Sequence, residues 1–386
     1  MNQLTIEPVN QRNTNAPGTS IAPPPELRPL PSDNAPRFTR PLTHGANTPT
    51  QWTQTASDHD QDLPVSSRSR PVILYRVRKL FSKLIARADL HRGHEPTAHF
   101  NDVMYLGEGL LKLITLALVS AVEEDRDHHQ YRLLYNLVRT QSLQTWISTL
   151  EQTTTGAPAT KLNQSLKPDL TVLSAPPTQP DDWRLAVVER LDQCATSIGP
   201  EPNGNRAPAT LIGCLDRFVH VRNKARAHGA LPPAVLGSIA TLTEESLTSI
   251  LEHTPLLNRP WAHARRNLSG KFNVTLLGPS TDKFDALKTE RTTQYSNGIY
   301  TYLDRPIRIR LLESEPDASD VYFPNGSYTS RNEYEAISYT SGKVLKCVNT
   351  DLLQPLSQPP PSHTEGTADL GDDLSNLPPQ AQGYIT

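Results

Sequence analysis

Phe218-Val219-His220-Val221-Arg222-Asn223-Lys224-Ala225-Arg226-Ala227-His228-Gly229 is the stretch on which the reading of this chain turns. Phe218, Val219 and Ala225 continue an apolar stripe begun by Leu211, Ile212 and Leu215, so the spacing predicts a helix over roughly 207–227. Gly229 supplies the residue type at which helices commonly stop. Arg222 and Arg226 stand four apart and share a helix face. His228 falls at the helix end, where the helix dipole favours the imidazolium.

Outward from this segment the chain continues to read as helix. Pro232-Pro233 opens a further helix reaching about His253, and Trp183 to Cys194 gives another. A long helix from Thr97 to Glu123 carries Val103, Leu106, Leu110, Leu113, Ile114 and Ala117 on one stripe. Shorter helices follow around Tyr131–Val138 and Leu143–Leu150, then a Thr-, Pro- and Ser-rich loop or insertion at 153–181. Residues 72–85 predict a packed amphipathic helix with Arg76, Arg78, Lys79 and Lys83 in solvent. From Phe272 the period changes to alternation, and Asn325-Gly326 and Ser341-Gly342 mark turns between short strands. The expected organisation is a Pro-rich disordered tail at 1–70, a helical domain at 71–255, a small β-rich domain at 271–352 and a disordered tail at 353–386. The expected fold class is mainly α, a helical bundle with a small C-terminal antiparallel β region.

Composition sets the outer limits. Among 386 residues, 35 are proline and only 36% are hydrophobic, a deficit concentrated in the two tails, which cannot bury enough apolar surface to offset chain entropy. A net charge of −2 gives no whole-molecule attraction to nucleic acid, so any RNA contact has to come from a local basic patch. Three scattered cysteines form neither a disulfide framework nor a zinc signature. The first residues do not read as a secretory signal, and the apolar run Leu110–Val122 suits a buried helix better than a bilayer span. A cytoplasmic protein without membrane contact is the expectation. There is no phosphate-cradling GxxxxGK[ST], no GxGxxG after a strand and no HExxH.

The chemistry suggested by the opening segment is phosphodiester cleavage without metal or cofactor. His228 has the residue type to move protons near neutral pH. Arg222 offers a fixed fork of donors for the charge that builds on phosphorus. Asn223 would orient the phosphate or the arginine, while Lys224 and Arg226 would hold the flanking RNA backbone electrostatically.

At these residues the chain resembles the HEPN superfamily, whose ribonucleases carry an arginine, a polar residue, and a histidine after four to six intervening positions. Arg222, Asn223 and His228 fit with five between. The longer string is similar to a bacterial Arg-Asn-Lys-x-x-Gly-His-Gly signature, with Ala227 in place of the first glycine. Phe100 to Ala121, with Glu108 in mid-helix, resembles that subset's long early helix, and the Tyr322–Tyr339 strands resemble its small β region. The resemblance implies an all-helical core that forms a homodimer with a composite cleft, and an endoribonuclease that uses the RNA 2′-hydroxyl as nucleophile. It also implies the alternative of a silent interaction module docked on a separate effector, and association with bacterial defence or stress response.

Blander readings stand beside several of these residues. Arg222 and His228 also suit a solvated helix end. Glu108 suits a plain ion pair as well as a group behind Arg222 that orients it. His91, His94 and His99 read as loop histidines rather than a zinc site, and His128-His129 as exposed turn residues. The β-region tyrosines suit packing better than base stacking. That region is also the expected surface for a protein partner. A third hypothesis is an exported bacterial effector.

Overall fold

In a computed structural model, the described residues are 78–200, 207–227, 229–277, 282–289, 295–318, 320–329 and 333–348, all within one unit spanning Arg68–Thr386. The two tails, the stretch 72–77 and His228 lie outside them.

The organising element is α2 (Pro96–Ser120), which begins with a proline in its first turn, where the missing N–H costs nothing. Nearly every residue from Val103 onward is buried, so the helix is apolar all round rather than on one stripe. It is long and apolar enough to cross a bilayer, with 94% of its most apolar window packed inside the protein. Around it lie α1 (Arg78–His91), α4 (Leu143–Thr155), α7 (Leu211–Ala227) and α8 (Pro233–His253), with α6 (Trp183–Ile198) against α7 and α8. On α1, Leu80, Phe81, Leu84 and Ala88 face inward while Lys79 and Lys83 are exposed, the packed arrangement expected of a basic amphipathic helix. The stretch read as a loop at 153–181 is largely ordered by short elements. Two 3-10 turns (Ala157–Lys161 and Gln164–Leu166) lead into α5 (Lys167–Ser174), with Asn163 accepting from the Ser165 N–H and Leu162, Leu166 and Leu173 buried.

The fold class differs from the expectation. The chain is α+β, with two four-stranded antiparallel sheets. The first contains β1 (Trp261–Arg266), β2 (Phe272–Leu276), β3 (Gly298–Tyr302) and β4 (Pro306–Arg308) in the order β2-β1-β3-β4. Its inner strand β1 starts ten residues before the expected β boundary. Trp261-Ala262-His263-Ala264 is a run of four buried residues, so it lacks the alternation that marks a half-buried strand. Ala262, Ala264, Phe272 and Tyr300 form a small separate core with Phe284 and Leu287, the latter on the short α9 (Asp285–Thr289). The second sheet joins β5 (Glu313–Ser314), β6 (Val321–Tyr328), β7 (Glu333–Ile337) and β8 (Val344–Val348) in sequential order.

Strand β6 packs on α3 (His129–Arg139), and Phe323, Tyr334, Ala336 and Tyr339 belong to the same hydrophobic core as α2. The second sheet is therefore a wall of the helical core, not an appendage to a bundle. The physical reason is the all-round apolarity of α2: neighbouring helices leave a side of it uncovered, and a sheet face covers it. Among the described residues, pairing beyond β7 ends at β8, whose Val344, Leu345 and Val348 are exposed.

Candidate functional site

Helix α7 meets α2 at Gly107, where an added methyl would fall inside the Phe218 ring. This close crossing brings Arg222, one turn beyond Phe218, onto Glu108, the residue after Gly107. The Arg222 Nε donates to Glu108 Oε1 at 2.7 Å, and an Arg226 terminal nitrogen reaches the same oxygen at 3.1 Å. Arg222 also donates through a terminal nitrogen to Asn223 Oδ1 at 2.9 Å. The Glu108 side chain is 6% exposed and that of Arg222 16%, whereas Arg226 is half in solvent at 51%. Sequence-predicted Arg222, Asn223, Arg226 and Glu108 are thus brought together.

Lys224 stands elsewhere. Its ammonium donates to the carbonyl oxygens of Ala195 and Gly199 at 2.9 and 2.8 Å, satisfying the C-terminal end of α6. That is a helix-capping position, away from the Arg222–Arg226 pair's shared carboxylate. His228 lies outside the described residues; it directly follows Ala227, the last residue of α7, and precedes Gly229, whose φ of +74° favours glycine.

Two members of this cluster were missed by the sequence reading. Lys112, one turn after Glu108, is 5% exposed and donates to the Pro324 carbonyl of β6 at 2.7 Å. Its ammonium sits 5.1 Å from the Trp146 ring centroid and 5.4 Å from that of Tyr339. Burial pulls the lysine down to about 8, opposed by the attraction of Glu108 and assisted by the repulsion of Arg222. Tyr339, just after β7, stacks on Tyr105 with centroids 5.6 Å apart. Burial pushes its phenol well above the ordinary range, and the neighbouring Glu108 carboxylate acts in the same direction. The signal that could have flagged Lys112 is a lone cation inside an otherwise apolar helix.

Lysine 112 yields a stability prediction with a definite sign. A lysine whose folded pKa is depressed opposes folding below about 8, and that penalty is relieved between about 8 and the unfolded value of 10.5. Lys112→Met should be the more stable form near pH 7, by a few kcal/mol at most given ~1.4 kcal/mol per pKa unit, and the gap should narrow from pH 8 to pH 10. Urea denaturation of both forms across that range measures it. A gap that widens with pH contradicts the assignment.

The remaining polar groups divide into matched pairs. His91, the last residue of α1, pairs with Asp102 at 2.8 Å, and Arg87 holds the other Asp102 oxygen at 2.6 Å. His99, in the first turn of α2 and 2% exposed, meets Glu244 at 3.0 Å, with Arg92 on the second oxygen of Glu244. Neither is a loop histidine as the sequence suggested; each is fixed by a carboxylate. A cavity of about 330 Å³ lies beside this second pair, bounded by α1, α6 and α8. Of its charged lining, Glu244 is paired with Arg92 and Glu245 with Arg190, and it does not reach Arg222.

For metals, one group among the described residues has suitable spacing: Asp125, Asp127 and His129, with ligand atoms within 4.8 Å of one another. The His129 Nδ1 lies 2.8 Å from Asp125, and that hydrogen bond holds the Asp125 carboxyl below its usual range, so the pairing accounts for the grouping without an ion. Cys194, Cys214 and Cys347 are free thiols pushed up to about 11, 12 and 11 by burial, which makes them poor nucleophiles.

No family model, curated protein or solved structure matches this chain.

Proposed function

We propose that the chain is a metal-independent endoribonuclease of the HEPN type, acting on RNA as a homodimer in the cytoplasm. The observation that supports this reading is the fork at Arg222, held between the buried Glu108 and Asn223 beside the half-exposed Arg226. A guanidinium so held cannot swing when a phosphate arrives, which is the preorganisation that electrostatic catalysis needs. The C-terminal end of α7 disfavours anions through its dipole, an effect that the charges of the two arginines oppose. In this reading Arg222 binds the scissile phosphate, His228 moves protons, Asn223 orients Arg222, and Arg226 holds an adjacent phosphate.

A second reading, a non-catalytic interaction module that docks on a separate effector, is favoured by one specific observation. Both arginines already have the Glu108 carboxylate as partner, as they would in a purely structural ion-pair network.

Incubation of the purified protein with single-stranded RNA in EDTA separates the two. The ribonuclease reading expects cleavage that falls about 10²-fold or more in His228→Ala and in Arg222→Ala, the scale for losing a general acid–base or an oxyanion-type donor. Wild-type protein that leaves RNA intact overturns it in favour of the module, and cleavage that appears only with added divalent metal overturns the metal-free mechanism.

A further inference from the structure

Tyr322, Tyr334 and Tyr339 are buried, whereas Tyr328, at the end of β6, is half-buried and joins a row of rings on α3. A bulge brings it there. Pairing of β6 with β7 shifts register between Pro324 and Tyr328, and within that stretch Asn325 donates to Glu335 and accepts from the Ser327 N–H. Gly326, at a φ of +88°, lies against Thr140, where an added Cβ would come 2.5 Å from the backbone carbonyl carbon. The bulge is therefore seated on the turn between α3 and α4. Tyr328 meets Tyr135 nearly at right angles, with centroids 5.7 Å apart. Tyr131, one turn earlier on α3, stacks on Tyr135 at 5.9 Å. Arg139, one turn later, lies 5.0 Å from the Tyr135 centroid and donates to its hydroxyl at 3.2 Å.

The charge on this surface has one sign. Helix α3 buries Leu133, Leu134, Leu137 and Val138, holds Tyr131 and Tyr135 on its flank, and exposes Arg132 and Arg139 with no acid in its sequence. Neither arginine meets a carboxylate among the described residues, whereas Arg87, Arg222 and Arg259 each do. The acids nearest in sequence are engaged at the start of the helix, where Glu124 accepts from the Tyr131 N–H and Asp125 holds His129. Arg139 ends the helix, ~15 Å further on. We propose that this surface binds single-stranded nucleic acid, with unpaired bases against Tyr131, Tyr135 and Tyr328 and phosphates beside Arg132 and Arg139. Every base has a π face that a tyrosine ring can accept, and arginines without carboxylate partners complement a chain with one negative charge per nucleotide. Arg139 gives up only a neutral hydroxyl when it turns to a phosphate, a weaker tie than a carboxylate would be. A duplex hides its base faces and fits less well. The surface shares no residue with the Arg222 cluster, so the inference goes beyond the ribonuclease reading and does not rest on it.

The test titrates full-length protein into fluorescein-labelled oligo(dT) of about 12 nucleotides, within the site sizes such surfaces take, and follows anisotropy. Without a 2′-hydroxyl the probe escapes the cleavage chemistry of the ribonuclease reading. Wild-type protein should bind it more tightly than the same strand in a dT·dA duplex. Tyr135→Leu should weaken binding about 5-fold or more, the scale of losing one stacked base, while Tyr135→Phe keeps the ring and should bind like wild type. Arg139→Gln alters an exposed side chain and reports even if Tyr135→Leu does not fold. It should lower the slope of log K against log salt by about 0.7, and Lys288→Gln, an exposed cation of α9, should leave that slope unchanged. Four results overturn the proposal: no binding by wild type, as a surface kept for a protein partner would give; equal affinity for the duplex; Tyr135→Phe as weak as Tyr135→Leu; or Arg139→Gln no different from Lys288→Gln. Protein that binds oligo(dT) through these residues and cuts no RNA leaves this surface standing and sinks the ribonuclease reading. Protein that cuts RNA while its oligo(dT) binding ignores Tyr135→Leu and Arg139→Gln does the reverse.

Discussion

Glu108→Leu should be the most damaging single change in the helical core, with a stability loss of about 3–5 kcal/mol, the cost of leaving a buried charge without its partner. Arg222 stays mostly buried with only Asn223 to accept from it, and Lys112 loses the one nearby charge that favours its protonated form. The lysine should therefore titrate below its present value of about 8, by the same attraction running in reverse. Thermal denaturation at pH 7 should show a melting point lower by roughly 6–20 °C, taking ~2–4 °C per kcal/mol for a domain of this size. Adding Lys112→Met to Glu108→Leu should restore part of the loss, because one of the stranded charges is removed. A double variant no more stable than Glu108→Leu alone would show that Lys112 and Glu108 do not interact.

Gly107→Val should be nearly as severe, for a reason of shape rather than charge. An added Cβ at position 107 lands within the Phe218 ring, which is fully buried and cannot step aside. Overpacking of this kind costs typically about 1–3 kcal/mol, and here α2 and α7 have to separate to relieve it. Separation acts directly on Glu108 and Arg222, which follow Gly107 and Phe218 by one residue and one turn. Under the ribonuclease reading, RNA cleavage should thus fall further than stability alone explains. Phe218→Ala, added to Gly107→Val, should recover both stability and cleavage, with a coupling of more than about 1 kcal/mol between the two sites. Additive losses in that cycle would refute the close-crossing account.

The helical part of the fold was legible because α2, α6, α7 and α8 bear apolar residues at helical spacing and are bounded by proline or glycine. The Arg222–Glu108 pairing was legible too, since an acid inside an apolar helix needs a cation and the arginines of α7 supply one. What escaped was set by distance along the chain and by small residues. Strand β1 is inner to its sheet, yet its alanines and histidine give no strand pattern. Helix α5 hides in a Thr- and Pro-rich stretch because buried leucines three to seven apart, not local propensity, decide it. Lys224 reads as one more cation of the motif, whereas the end of α6, some twenty-five residues upstream, needs its ammonium as a cap. Tyr339 and Pro324 approach α2 from across more than two hundred residues, and no local pattern records such a meeting. The expectation of a mainly α fold with a small β region followed from the same cause: a sheet face that covers a helix looks, residue by residue, like one that covers only itself.

The ammonium of Lys112 over the Trp146 indole has an optical consequence. The excited state of indole carries a larger dipole than its ground state, so a charge fixed 5.1 Å from the ring centroid displaces its emission. Trp146 is fully buried, and no described residue accepts from its N–H, so solvent relaxation and hydrogen bonding do not mask that displacement. The colour of the Trp146 share of the ultraviolet fluorescence is thereby tied to the charge on one core lysine, and through it to the carboxylate that holds Arg222.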